Sequence, residues 1–199
     1  MEHSLCQWLR LIESGPPRQL KRAAPAKADI VIFTDGFFPD PRRAETGPAR
    51  VGAVFFDRRR LLPVQFSEVV TEDVLDTWIP RATQIFMVEL VAIVLVLETF
   101  RHYMQDATVL LLVDAEAVEG ALVKGYSARS DVSLLVGKFW ELAQALNAAI
   151  YIDRVPTDAN CFDGPSRDKV YIGKHLGWLE VQARWPSEVH TGGRAWGSV

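Results

Sequence analysis

Ile30-Val31-Ile32-Phe33-Thr34-Asp35-Gly36 is the stretch on which the reading of this chain turns. A short apolar, β-branched run closed by Asp-Gly reads as a buried strand over 30–34. It leaves an acid, Asp35, at the strand's end, where a buried and unpaired carboxylate is costly or is forced to protonate. The pattern recurs at Thr108–Val113, an all-apolar run of the kind covered on both faces of a sheet, closed by Asp114.

Working outward, residues 51–56 read as a second strand and Asp57 to Arg60 as a hairpin turn. A third strand follows over 61–70, where Pro63 implies an edge or an irregular start. Residues 84–102 are too long for a strand and apolar nearly all round, which predicts a largely buried helix with Glu89 inside it. A short helix over 114–123 closes at Gly125, and a longer one spans 130–147 with Ser130 or Asp131 as its N-cap. In that helix Phe139 and Trp140 stand at core spacing and read as packing residues. The last strand, 149–155, stops at Pro156, and Asp163 precedes a helix start marked by Pro165. Three consecutive strands followed by helix and strand in alternation imply an α/β chain with a five-stranded mixed sheet flanked by helices.

The chain of 199 residues suits one domain with a real core, expected over 29–184. Residues 1–28, an amphipathic piece followed by a Pro- and Ala-rich basic stretch, read as an arm or linker, and 185–199 as a flexible tail. With 22 basic and 25 acidic residues the net charge is −3, so no global basic field argues for nucleic acid. The local basic groups (Arg18, Lys21, Arg22 and Lys27; Arg58, Arg59 and Arg60) read by themselves as solvated surface. Cys6 and Cys161 lack the spacing of a zinc site or a disulfide framework. The most apolar stretch, 85–100, is short for a bilayer and holds Glu89 and Glu98, so a soluble, intracellular protein with no membrane partner is expected.

Four acids thus occupy positions where an acid is costly or odd: Asp35, Glu89, Asp114 and Asp163. Each has an ordinary reading, as a turn, a surface residue or a helix cap. Together they have a chemical one. Converging carboxylates repel, and a cation must hold them if they stay ionised. Oxygen-only ligands suit Mg²⁺, with Mn²⁺ as a substitute. Two such ions, roughly 3.5–4 Å apart, can drive phosphodiester hydrolysis without a side-chain nucleophile.

From Ile30 to Asp168 the chain resembles the ribonuclease H domain attached to retroelement reverse transcriptases, a ribonuclease-H-like fold. The matching pieces are Phe33-Thr34-Asp35-Gly36, residues 51–56, Glu89-Leu90 and Leu112-Val113-Asp114. They continue with Lys124-Gly125-Tyr126-Ser127 and Phe139-Trp140-Glu141-Leu142, then Arg154-Val155-Pro156 through Asn160, Asp163, Pro165, Ser166 and Arg167. The resemblance implies that Asp35, Glu89, Asp114 and Asp163 are the metal-binding catalytic acids. Asp35 is expected to touch both ions, Glu89 and Asp114 one, and Asp163 the other. The implied activity is cleavage of the RNA strand of an RNA–DNA hybrid, with a reverse transcriptase domain of the same element as a further partner. Lys124, Tyr126, Ser127, Arg129 and Arg167 are the expected nucleic-acid contacts, made across a minor groove that is recognised mostly by shape.

The chain departs from the family pattern in two places. Ala115 follows the third acid where many members have Asn, and residues 157–162 contain no His. There is no Tyr-x-Asp-Asp polymerase motif. Two other readings fit the same acids: a non-catalytic scaffold of this fold, and a different nuclease built on it.

Overall fold

Alternation is what makes the 30–37 stretch a strand. In β1 (Ile30–Phe37) Ile30 and Ile32 are fully buried while Val31 and Phe33 are half-buried, as expected where one sheet face meets the core. The structure is a computed structural model, and it describes residues 2–14, 27–156, 160 and 171–186. The strand does not stop at Thr34. It runs on through Asp35, paired with Gly52, and Gly36, paired with Val51, so Asp-Gly is strand here and not turn.

β2 (Arg50–Asp57) and β3 (Val64–Val69) complete an antiparallel meander with β1. β3 is shorter than the 61–70 expected, because Leu61 and Leu62 stay exposed in the turn and have no core to enter. β4 (Thr108–Val113) lies parallel to β1 on its other side, and β5 (Ala149–Arg154) lies parallel to β4. The five-strand expectation needs one correction: β6 (Leu179–Glu180) pairs with β3, giving a six-stranded order β5-β4-β1-β2-β3-β6. A two-residue strand has no periodicity to read.

The helices carry the core onto the sheet. α3 (Ile85–Thr99) packs on β1 and β2 and buries Met87, Val88 and every residue from Leu90 to Leu97. The helix expected to reach residue 102 breaks at Phe100, whose ring stacks on Phe55 at 4.4 Å, and α4 (Arg101–Met104) follows it. A one-turn α2 (Glu72–Leu75) precedes α3 and was not signalled by the sequence. α5 (Glu116–Lys124) ends at Gly125, whose φ of 75° is the left-handed C-cap geometry glycine favours. α6 (Ser130–Ala145) packs against α3, and α7 (Tyr171–His175) leads into β6. Phe139 is fully buried, as core spacing implied.

In α1 (Glu2–Ser14) Trp8 packs on Trp140 of α6, with ring centroids 6.3 Å apart, and its indole N–H donates to the Gly125 carbonyl at 3.1 Å. A side chain at Gly125 would collide with that indole, so the C-cap and the docking of α1 both require glycine there.

The N-cap of α6 is Arg129, with no side-chain capping bond, which corrects the assignment to Ser130 or Asp131. Asp131 has another task. Arg81 Nη2 donates to both of its carboxylate oxygens at 2.6 and 2.7 Å, and the Ile79 N–H donates to Oδ2 at 3.0 Å. Arg81 in turn donates to the Gln84 side chain at 3.0 Å, so this pair clips the connection before α3 to the start of α6. Both side chains are close to nine-tenths covered. Removing one partner strands the other's buried charge, so Asp131→Ala should cost about 3–5 kcal/mol in denaturant unfolding. The double replacement Arg81→Met with Asp131→Leu should recover most of that loss.

Candidate active site

Three elements deliver one acid each to a single cleft of about 290 Å³. Asp35 comes from within β1, Glu89 from the second turn of α3, and Asp114 from the residue after β4. β1 and β4 are parallel neighbours, so their carboxyl ends emerge side by side, and that alone brings Asp35 and Asp114 to one edge. Phe37, Phe38, Ile85 and Thr83 also line the cleft, as do Asp40, Arg42, Arg43 and Glu45 from the long β1–β2 connection.

Glu89 reaches the same edge because of Gly36. The side chains of Ile30, Ile32 and Thr34 share one face of β1, and Gly36 is next in that series. A Cβ on Gly36 would lie 2.9 Å from both the Glu89 backbone nitrogen and its Cγ, and 3.1 Å from its Cα. Helix backbone therefore rests directly on strand backbone at this point. No other residue type allows that approach without displacing α3.

The electrostatics follow from the crowding. The Glu89 carboxyl is pushed up to about 8, first by burial, then by the negative charges of Asp114 and Asp35. Asp35 itself is only 7 % exposed. The cap position of the helix that follows Asp114 is Ala115, which makes no side-chain capping bond. Ala115 instead packs against the core.

Asp163 and Arg167 lie outside the described residues. Among the described residues no three His, Cys, Asp or Glu side chains converge closely enough to cage a cation. The fit to a metal is therefore one of donor chemistry: hard carboxylate oxygens, mutually repelling, on one cleft. Lys124, Tyr126 and Ser127 do not line this cleft. They line a separate hollow of about 910 Å³ along α5, which also includes Glu116, Glu119 and Phe86. The first turn of α3 contributes to both, Ile85 to the cleft and Phe86 to the hollow. Arg129 is exposed at the start of α6. Ser127 is fixed by α6, since its N–H donates to Ser133 Oγ at 3.0 Å and Ser133 Oγ donates to its carbonyl at 2.6 Å. Arg42 and Arg43 are cleft residues that the sequence reading passed over. They sit in a Pro- and Arg-rich loop with no motif to mark them.

A meander joined to parallel βαβ units, with a long buried helix lying on the first strand, is the ribonuclease-H-like fold. Three solved structures are similar. One is RNase H1 from the halophilic archaeon Halobacterium salinarum NRC-1, at 19 % identity and a TM-score of 0.50, over 72 % of this chain and 98 % of that one. A second is the N-terminal RNase H domain of a Mycobacterium tuberculosis protein, solved as a fusion with maltose-binding protein, at 18 % identity and a TM-score of 0.50, over 76 % and 99 %. The third is LC11-RNase H1, isolated from compost by a metagenomic approach, at 16 % identity and a TM-score of 0.52, over 72 % and 99 %. At these identities the likeness is one of fold. No family model and no curated protein matches the chain by sequence.

Two outcomes are expected from this geometry. Gly36→Ala forces strand and helix apart and should lower stability by about 1–3 kcal/mol, measured by urea unfolding. Glu89 binds its proton more tightly in the folded protein (about 8) than at its ordinary value of 4.5. Folding stability from this group therefore falls as pH rises through that window. In metal-free buffer the melting temperature of Glu89→Gln should match wild type near the lower limit and exceed it increasingly toward the upper one. A constant difference across the window would contradict the assignment.

Proposed function

We propose that this chain is a metal-dependent endonuclease that hydrolyses the RNA strand of RNA–DNA hybrids. The observation that carries the reading is that Asp35, Glu89 and Asp114, from β1, α3 and the end of β4, line one cleft of a ribonuclease-H-like sheet. The resemblance of residues 30–168 to reverse-transcriptase-attached ribonucleases H supports the same substrate and extends it to a reverse transcriptase partner.

Asp35, Glu89 and Asp114, joined by Asp163, would hold two Mg²⁺ ions, with Mn²⁺ as a substitute. When bound, the ions supply the nucleophile at neutral pH and neutralise charge on the transferring phosphate. The chain's own part is to bring the acids together and keep them oriented. Gly36 lets Glu89 in, and the parallel β1–β4 pair sets the spacing of the two aspartates. Asp35 is buried, and a charge shielded from water acts more strongly on its neighbours. Lys124, Tyr126, Ser127 and Arg129, with Arg167, are proposed to hold the hybrid backbone. The Ser127–Ser133 bonds keep the first part of that surface in place. No described helix is long and apolar enough to cross a membrane.

A second reading, a non-catalytic scaffold that binds nucleic acid without cutting it, is favoured by Ala115 directly after Asp114. The two readings separate in one experiment. A labelled RNA–DNA hybrid is incubated with wild type and with Asp114→Asn, with and without Mg²⁺. Metal-dependent cutting of the RNA strand, reduced at least about a hundredfold in the variant, is expected for the enzyme, on the scale of losing a principal electrostatic stabiliser. The variant should be as stable as wild type or more so, because one repelling charge is gone. A folded wild-type protein that neither cuts with Mg²⁺ or Mn²⁺ nor gains thermal stability from either ion is the scaffold.

A further inference from the structure

The connection from 38 to 49 is longer than a strand-to-strand turn needs, and it is folded on itself. Asp40 organises it. Its Oδ1 accepts the Arg42 N–H at 2.9 Å, and its carbonyl accepts the N–H groups of Arg43 at 2.9 Å and Glu45 at 3.3 Å. The Asp40 N–H is donated to Glu45 Oε2 at 3.1 Å. Ala44, at φ 53°, makes the left-handed bend that completes the knuckle.

The product is a pair of adjacent guanidinium groups on the lip of the acidic cleft. Both Arg42 and Arg43 line it together with Asp35, Glu89 and Asp114. They are also largely open to solvent, with side-chain exposures of 82 % and 76 %. Asp40 anchors them lightly: Arg42 donates its Nε–H at 3.2 Å, and Arg43 Nε stands 4.0 Å away. Most of the donors on two forked cations therefore face outward. A cleft of carboxylates repels a polyanion, and among the described residues the two arginines are the cations on its lining. The guanidinium fork matches a phosphate's oxygens, which an ammonium does not.

We infer that Arg42 and Arg43 form a phosphate clamp that holds the nucleic-acid backbone beside the phosphate presented to the carboxylates. The clamp rests on the nuclease reading. It places a backbone contact on the β1–β2 knuckle, separate from the α5 hollow that Lys124, Tyr126 and Ser127 line.

The test measures cleavage and hybrid binding of full-length Arg42→Ala/Arg43→Ala across a range of salt concentrations, with binding read in an Asp114→Asn background. Each lost phosphate contact lowers the slope of log affinity against log salt by about 0.7–0.9. The double variant should therefore lose roughly 1.5 from the slope and bind roughly tenfold more weakly at moderate salt, the loss appearing in KM. Arg42→Lys/Arg43→Lys should keep most of the slope but not all of the affinity. Arg58→Ala/Arg60→Ala removes equal charge from the β2–β3 turn, at the opposite end of β2, and should leave the slope unchanged. If wild type cuts hybrid but the Arg42/Arg43 variant keeps its slope and KM, or the Arg58/Arg60 variant loses as much, the clamp is overturned and the nuclease reading stands. If wild type neither binds nor cuts hybrid, both are overturned.

Discussion

The contact between Gly36 and the backbone of Glu89 is the constraint on which the rest depends. Strand and helix backbones approach within a distance that leaves no room for a Cβ. That approach sets the height of α3 above the sheet, and the height decides which α3 residues are buried. It also places a carboxylate from the helix beside carboxylates from two strands. A single missing side chain thus couples the packing of the core to the geometry of the site.

The arrangement has a cost that the fold meets elsewhere. Three acids on one cleft repel, and the raised Glu89 value records that repulsion added to burial. The α3 core of aliphatic side chains on β1 and β2 supplies the opposing burial free energy. The Arg81–Asp131 pair ties the connection that enters α3 to the start of α6. On the outer side, Trp8 and Trp140 tie α1 to the C-terminal end of α5, next to the loop proposed to meet substrate.

Much of this was legible before any coordinates. The strands at 30–34, 51–56 and 108–113 and the long helix with Glu89 follow from runs and periods that local physics dictates, whereas the extension of the first strand to Phe37 rests on its pairing with β2. Gly125 announced its helix end because left-handed backbone favours glycine. The misreadings share a cause. β6 and α2 are too short for periodicity, and the break at Phe100 arises because its ring is drawn onto Phe55. Asp131 looked like a cap because caps are local. Its real partner, Arg81, is 50 residues away in the chain. Arg42 and Arg43 drew no reading at all for the same reason, since nothing local says that their loop borders a cleft.

By itself, then, the sequence determined five of the six strands, the mixed sheet and the long helix that carries Glu89, because hydrophobic runs and periods are written along the chain. Tertiary structure alone decided that Gly36 admits α3, that Glu89 holds its proton to about 8, and that Arg42 and Arg43 share the acids' cleft. Those properties depend on the distance and burial between residues far apart in sequence, and charge and steric interactions act through space rather than along the chain.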